Sequence, residues 1–179
     1  MMEFTNIFVV YDPAREVQPA FDRAVTIAGT VPVKVHVFAA IFTDIPKSEN
    51  RAAQIRSLLS RQKAELENII APLRANGVEA SCEVEWEKDW YHAVVRASVR
   101  NSADVVLKST FKHTPGQRVL NRTSDWTLIR ECLCPVLLVK EGAQRELRRV
   151  LAAVDIRKGD NGYATLNRHI VDFSHPFFV

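Results

Sequence analysis

Short apolar runs rich in β-branched residues alternate along this chain with stretches whose apolar positions recur at helical spacing. That alternation restricts the fold more than any other feature. Asn6–Tyr11 (NIFVVY) is a continuous apolar run of the kind a strand buried on both faces requires. Asp12-Pro13 ends it, since proline removes a backbone donor and fixes φ. Val17–Gly29 carries Ala20, Phe21, Ala24, Val25 and Ala28 on one helical stripe, with Gly29 as the stop. Val33–Ala39 alternates Val33, Val35 and Val37 and reads as a second strand.

A long helix is expected over Ser48–Ala75, its stripe formed by Ile55, Leu58, Leu59, Leu66, Ile69, Ile70 and Leu73. Pro72 should bend or end it, and Asn76-Gly77 is a natural stop. Val78–Trp86 is half-polar, which places a third strand near a sheet edge. Asp89 is positioned to cap a helix over Trp90–Arg100 that turns Ala93, Val94 and Ala97 inward. Asp104–Leu107 supplies a fourth strand. Thr123 or Ser124 opens a helix with Leu128 and Ile129 inward, and Pro135–Val139 supplies a fifth strand. Strands alternating with helices fold as right-handed crossovers. The expected class is therefore α/β: a doubly wound five-stranded parallel sheet with helices on both faces. Such sheets bind ligands outside the carboxyl ends of their strands, where strand order reverses. Asp12, the Ala39-Ala40 turn and the loop after Leu107 should then surround one crevice.

The composition removes several functional classes. With 47% hydrophobic and 25% charged residues over 179 positions, the chain can bury a core and is not a disordered one. The net charge of +3 is dispersed along helices and loops, so no nucleic-acid partner is expected. No window holds the ~18 apolar residues a membrane span needs. MMEFTNIFVVYD lacks the pattern of a signal peptide, so a cytoplasmic location is expected. Cys82, Cys132 and Cys134 are odd in number, two of them one residue apart, and fit reduced thiols. Cys132-Leu-Cys134 reads as core packing, and Trp86, Trp90 and Tyr91 as core or interface aromatics. The five histidines have no metal-ligand spacing with the cysteines. Neither a Gly-x-Ser-x-Gly nor a Walker-type motif is present, and no nucleophile is paired with a base, so neither catalytic nor metal residues are expected.

Two places are candidates for a ligand. Asp12, at the tip of the first strand, can accept from a ribose hydroxyl or a base amine, or it can simply close the turn before Pro13. The segment from Lys108 to Arg118 brings Lys108, Ser109, Thr110, Lys112 and His113 toward a helix start marked by Arg122, Thr123 and Ser124. Free N–H groups at such a start favour a phosphate or carboxylate. The alternative is an exposed basic loop followed by an ordinary cap.

The chain also restarts its own pattern. Val150–Asp155 (VLAAVD) repeats Ile7–Asp12 (IFVVYD), an apolar strand closed by aspartate, and Leu166–Ile170 repeats the helical stretch Phe21–Val25. One βα unit cannot bury itself, and the ending HPFFV exposes Phe177 and Phe178 unless something covers them.

The strand closed by Asp12, the long second helix, the DVVL strand, the variable loop, the Ser/Thr-led helix and the ending CPVLLVK together resemble a universal stress protein domain. The likeness covers Met1 to Glu141. With the restart at Arg148 it is similar to the tandem E-type members, which place two such domains in one chain. The resemblance implies a domain over 1–141, a linker at 142–147 and a shortened second domain over 148–179. It also implies self-association, as a homodimer, through the last strand and that second domain. ATP-binding members carry Gly-x2-Gly-x9-Gly-Ser/Thr after the fourth strand. Laid on that frame, the glycine positions hold Ser109, Lys112 and Arg122, while Thr123 keeps the hydroxyl. Side chains then occupy the space where phosphate approaches bare backbone. The resemblance therefore implies a non-enzymatic stress-response binding module, without a cofactor, that takes an unidentified small ligand or protein partner. The alternative is an ATP- or AMP-binding member using Asp12, Thr123 and the basic loop. An enzyme, either a weak ATPase or a thiol-dependent catalyst at Cys132 or Cys134, is the third class.

Overall fold

The computed structural model describes residues 5–47, 49–111, 122–142, 165 and 167–170, with only the backbone given for 122–124. Thr5–Gly142 forms one compact unit. Its elements are β1 (Asn6–Val10), α1 (Pro19–Ala28), β2 (Lys34–Ile41), α2 (Arg51–Ala75), β3 (Ala80–Trp86), α3 (Trp90–Arg100), β4 (Val105–Thr110), α4 (Arg122–Glu131) and β5 (Val136–Lys140). A second unit comprises Met1–Phe4 and Ala143–Val179, of which Thr165 and 167–170 are described and helical. The repeat strand Val150–Asp155, Leu166 and the terminal Phe177-Phe178 lie outside the described residues.

All strands run parallel in the order β3-β2-β1-β4-β5. The expected sheet is present, with β3 at one edge. β1 is central because Ile7, Phe8, Val9 and Val10 are all buried, and only a strand covered on both faces can hold four consecutive apolar residues. Its even positions face a core of Phe8, Val10, Phe38, Val106, Ala93, Val94 and Ala97 of α3, and Leu128 of α4. On the other face, α1 packs on β1, β4 and β5, and α2 packs on β3 and β2.

Several local expectations shift. α1 buries Ala20, Ala24 and Ile27, and Val25, a flank position, is 39% exposed. α4 buries Leu128 but leaves Ile129 exposed, because consecutive helical residues point about 100° apart. Only Leu66, Ile70 and Leu73 of the long α2 stripe are fully buried. Pro72 does not end α2. It sits in the last turn, where it removes one backbone bond, and the helix runs on to Ala75. Asp89 is the first-cap residue of α3, yet its side chain makes no cap hydrogen bond. β4 continues three residues past Leu107 through Lys108, Ser109 and Thr110, which pair with Leu138, Val139 and Lys140 of β5. β2 likewise extends through Ala39 and Ala40 to Ile41, so the expected turn there is strand.

The half-polar character of β3 has a specific cause. Glu83, Glu85 and Glu87 alternate toward α3, whose Arg96 lies 3.5 Å from Glu85 and 3.3 Å from Glu87, while Arg100 reaches Glu83 and Glu85. On that face His36 is partly buried, its Nδ1 2.8 Å from Ser81 Oγ, and burial lowers its pKa despite the nearby Glu83. Asp104 fastens the start of β1: one of its carboxylate oxygens accepts from the Thr5 and Asn6 amides, each at 2.8 Å.

Both α2 and α3 close with paired backbone bonds that fold the chain back over the last turn. In α2, Gly77 N–H donates to Arg74 and Val78 N–H to Leu73, with Gly77 at φ 81°. In α3 the same bonds run from Ser102 to Val99 and from Ala103 to Ser98, but the left-handed position is Ser102 at φ 50°. A Cβ in that region costs about 1–2 kcal/mol, partly offset by the greater unfolded freedom of glycine. Ser102→Gly should therefore raise unfolding stability by about 0.5–1 kcal/mol in urea titrations, and a lower stability would show that Ser102 is unstrained.

Candidate functional site

Strand order reverses between β1 and β4, since β1 is followed in sequence by β2 on one side and paired with β4 on the other. The register aligns Val10 with Lys108, so Tyr11 and Asp12 leave the sheet beside Ser109 and Thr110. A cleft of about 440 Å³ opens there. β1 and its loop contribute Tyr11, Asp12 and Arg15 to it, and the end of β2 contributes Phe42. Lys88 and Trp90 come from the entry to α3, Lys108, Ser109 and Phe111 from β4 and its exit, and Asp125 from α4.

The β1–α1 loop is held from within. Gln18 is buried, and its amide nitrogen donates to the carbonyls of Asp12 at 2.6 Å and Arg15 at 2.8 Å. Asp12 accepts the Ala14 N–H on Oδ1 at 3.0 Å, the local turn bond expected of an aspartate before such a loop, and it still lines the cleft. Above it, burial first, then the charges of Glu65 and Asp12, raise the pKa of the Tyr11 phenol.

Ser109 is buried, and its Oγ accepts the N–H of Ala20 at 3.0 Å. Pro19 opens α1 without a side-chain cap from Gln18, so a hydroxyl from a distant strand supplies the partner that the helix start lacks. Ser109 therefore lines the cleft as part of its frame. Lys108 points to the opposite face of β4. Its Nζ lies 2.8 Å from Asp125 Oδ1, donates to the Ser109 carbonyl at 3.1 Å and sits 5.3 Å from the Trp90 ring centre. Thr110 donates from Oγ1 to the Val139 carbonyl at 3.4 Å, outside the cleft lining. Lys112 and His113 lie outside the described residues. Arg122, Thr123 and Ser124 occupy the first turn of α4, and their side chains lie outside the description.

Of the residues singled out in the sequence, the structure brings Asp12, Lys108 and Ser109 to one cleft, whose walls come from others. Trp90 was read as a core or interface aromatic; it packs against the core and also lines the cleft. Tyr11, Arg15, Phe42, Lys88, Phe111 and Asp125 were not singled out. The available signal was their position within two or three residues of a strand end or helix start. The thiols are unsuited to nucleophilic work. Burial pushes Cys82 and Cys134 up to about 11, and Cys132 is also raised by burial. Among the described residues no group of three or more His, Cys, Asp or Glu side chains is placed to hold a metal.

Because the Ser109 hydroxyl caps α1, Ser109→Ala should lower unfolding stability by about 1 kcal/mol, read by chemical denaturation. An unchanged midpoint would mean that the Ala20 amide finds another partner.

Residues 3–140 match the family model described as the universal stress protein family. Universal stress protein E of Photorhabdus laumondii is 27% identical over 177 residues, covering 96% of this chain and 56% of that protein. A crystal structure described as a universal stress protein from Pseudomonas aeruginosa UCBPP-PA14 superposes with a TM-score of 0.67 at 20% identity, over 96% of this chain and 56% of that one. UspA from Lactobacillus plantarum superposes with a TM-score of 0.58 at 14% identity, over 78% of this chain and 99% of that one. The chain spans about half the length of the curated relatives it matches. A family match across the whole sheet, on a fold these structures share, places the sequence: the chain belongs to the universal stress protein family.

Proposed function

We propose that this chain is a non-enzymatic, cytoplasmic stress-response module that binds a small ligand in the cleft at the carboxyl ends of β1 and β4, without the glycine cradle for a triphosphate. The observation that carries the reading is Ser109. At the first glycine position of the phosphate motif stands a buried side chain whose hydroxyl already caps α1, in a strand residue paired with Val139 of β5 and not in a bare loop. Of the charged residues lining the cleft, Asp125 pairs with Lys108 and Glu87 with Arg96, and Arg15 and Lys88 against Asp12 leave too small a positive excess for a polyanion. The raised thiols support a binding rather than a catalytic role, and the three free cysteines suit a reducing compartment. Lys108, Lys112, His113, Arg122, Thr123 and Ser124 remain the proposed anion-facing residues of the loop and helix start, with Asp12 opposite. Isothermal titration with MgATP should give no micromolar binding. A micromolar constant, lost in Asp12→Ala, would favour the nucleotide-binding alternative.

Residues 1–141 are proposed as one stress protein domain, joined by 142–147 to the start of a second over 148–179. Self-association is proposed through β5. That strand is a sheet edge, and the adjoining Trp126, Ile129, Leu133 and Leu138 are 57%, 47%, 84% and 37% exposed. A strand at the edge of the described sheet, with exposed apolar side chains nearby, is a ready pairing surface. Light scattering on eluting protein at micromolar concentration should give a dimer mass, and Leu138→Arg with Trp126→Glu should give a monomer. A clean monomer for the unaltered chain would overturn this.

A further inference from the structure

The cation–aromatic pairs found among the described residues all lie on the one cleft. The Arg15 guanidinium carbon is 4.7 Å from the Phe111 ring centre, Lys108 Nζ is 5.3 Å from Trp90, and Lys88 Nζ is 6.0 Å from Phe42. All six residues line the cavity. Such pairs occur roughly once per 70–80 residues, so their number is ordinary and their convergence is the observation.

The three cations differ in what else holds them. Lys108 is neutralised by Asp125 at 2.8 Å. Among the described residues, Arg15 and Lys88 have no carboxylate within ion-pair distance, and each meets only the face of an aromatic ring. Two of the cleft's three acids are neutralised by ion pairs and one keeps its charge. Asp12 accepts the Ala14 N–H, Glu87 accepts the Asp89 N–H and pairs with Arg96, and Asp125 holds Lys108. The cavity therefore offers two cations beside aromatic faces against the single charge of Asp12, an excess of one positive charge among its described lining, in a volume suited to a small organic molecule. That small excess sets an upper limit on the charge of what enters. One negative group on Arg15 or Lys88 balances it, whereas a run of phosphates would exceed it and bring like charge against Asp12.

We infer that the cleft selects a planar aromatic monoanion, a conjugated ring bearing one carboxylate, with the ring against the aromatic walls and the charge on Arg15 or Lys88. This inference rests on the reading of the cleft as a ligand site and names its ligand class. Arginine suits the task, because its flat guanidinium can stay on a ring face while its edge donates to both carboxylate oxygens.

Three probes test it by isothermal titration on the full chain: 2-naphthoate, its saturated counterpart decalin-2-carboxylate, and the neutral 2-naphthylmethanol. 2-Naphthoate should bind at least tenfold more tightly than either of the others. Arg15→Gln with Lys88→Gln should reduce that affinity at least tenfold, and both positions are exposed, so the variant keeps the fold. Phe111→Leu should bring naphthoate and decalin carboxylate to similar affinity. Equal binding of the two carboxylates by the unaltered chain overturns the aromatic selectivity and leaves the cleft standing as a small-anion site. Naphthoate binding insensitive to the double variant, or no binding of any probe, overturns the inference. Tight MgATP binding that Asp12→Ala abolishes would instead overturn the reading beneath it.

Discussion

The pairing of β1 with β4 is the contact on which the rest of this unit depends. Nearly one hundred residues separate the two strands in sequence, and Asp104 fixes their relative position at one end by binding the amides of Thr5 and Asn6. From that anchor the register runs Ile7 to Val105, Phe8 to Val106, Val9 to Leu107 and Val10 to Lys108. A slip of one residue would turn Phe8 and Val106 out of their core and rotate Lys108 away from Trp90 and Asp125. Packing and site geometry are thus consequences of one register. The apolar pattern sets it, and a carboxylate at the amino end pins it.

The two edges of the sheet are treated differently. At β3, three glutamates interleave with two α3 arginines in a ladder of partly exposed pairs. Individually such pairs contribute little, but a ladder with repeating spacing discriminates between alignments of strand and helix. At β5, no such charge pattern is present among the described residues: Leu138 of the strand stands exposed, as do Trp126 and Ile129 of α4. One edge is guarded by charge and the other is left apolar, and this asymmetry is built into a single α/β unit.

The fold was legible because buried parallel strands must be apolar on both faces, and NIFVVY, DVVL and PVLLV state that directly. What escaped were the ends of elements. Lys108, Ser109 and Thr110 look like a basic loop, yet they are strand, because pairing with Leu138, Val139 and Lys140 outweighs their polarity. The site was half legible for the same reason. Asp12 and Lys108 announce themselves by charge at a strand tip. Trp90, Phe42 and Phe111 look like any core aromatic until the topology brings three loops to one opening. The partner of Ser109 could not be read at all, since nothing local to residue 109 points to an amide 89 positions earlier.

That long-range bond also joins two regions usually thought of separately. Ser109 lines the cleft at the end of β4, and the amide that its hydroxyl accepts belongs to the first turn of α1, which packs along β1, β4 and β5. Anything that displaces the end of β4 leaves the Ala20 amide without a partner and loosens the helix at its start. The end of β4 and the start of α1 are thereby held as one piece, a strut that ties the lip of the opening to the helix on the other face of the sheet.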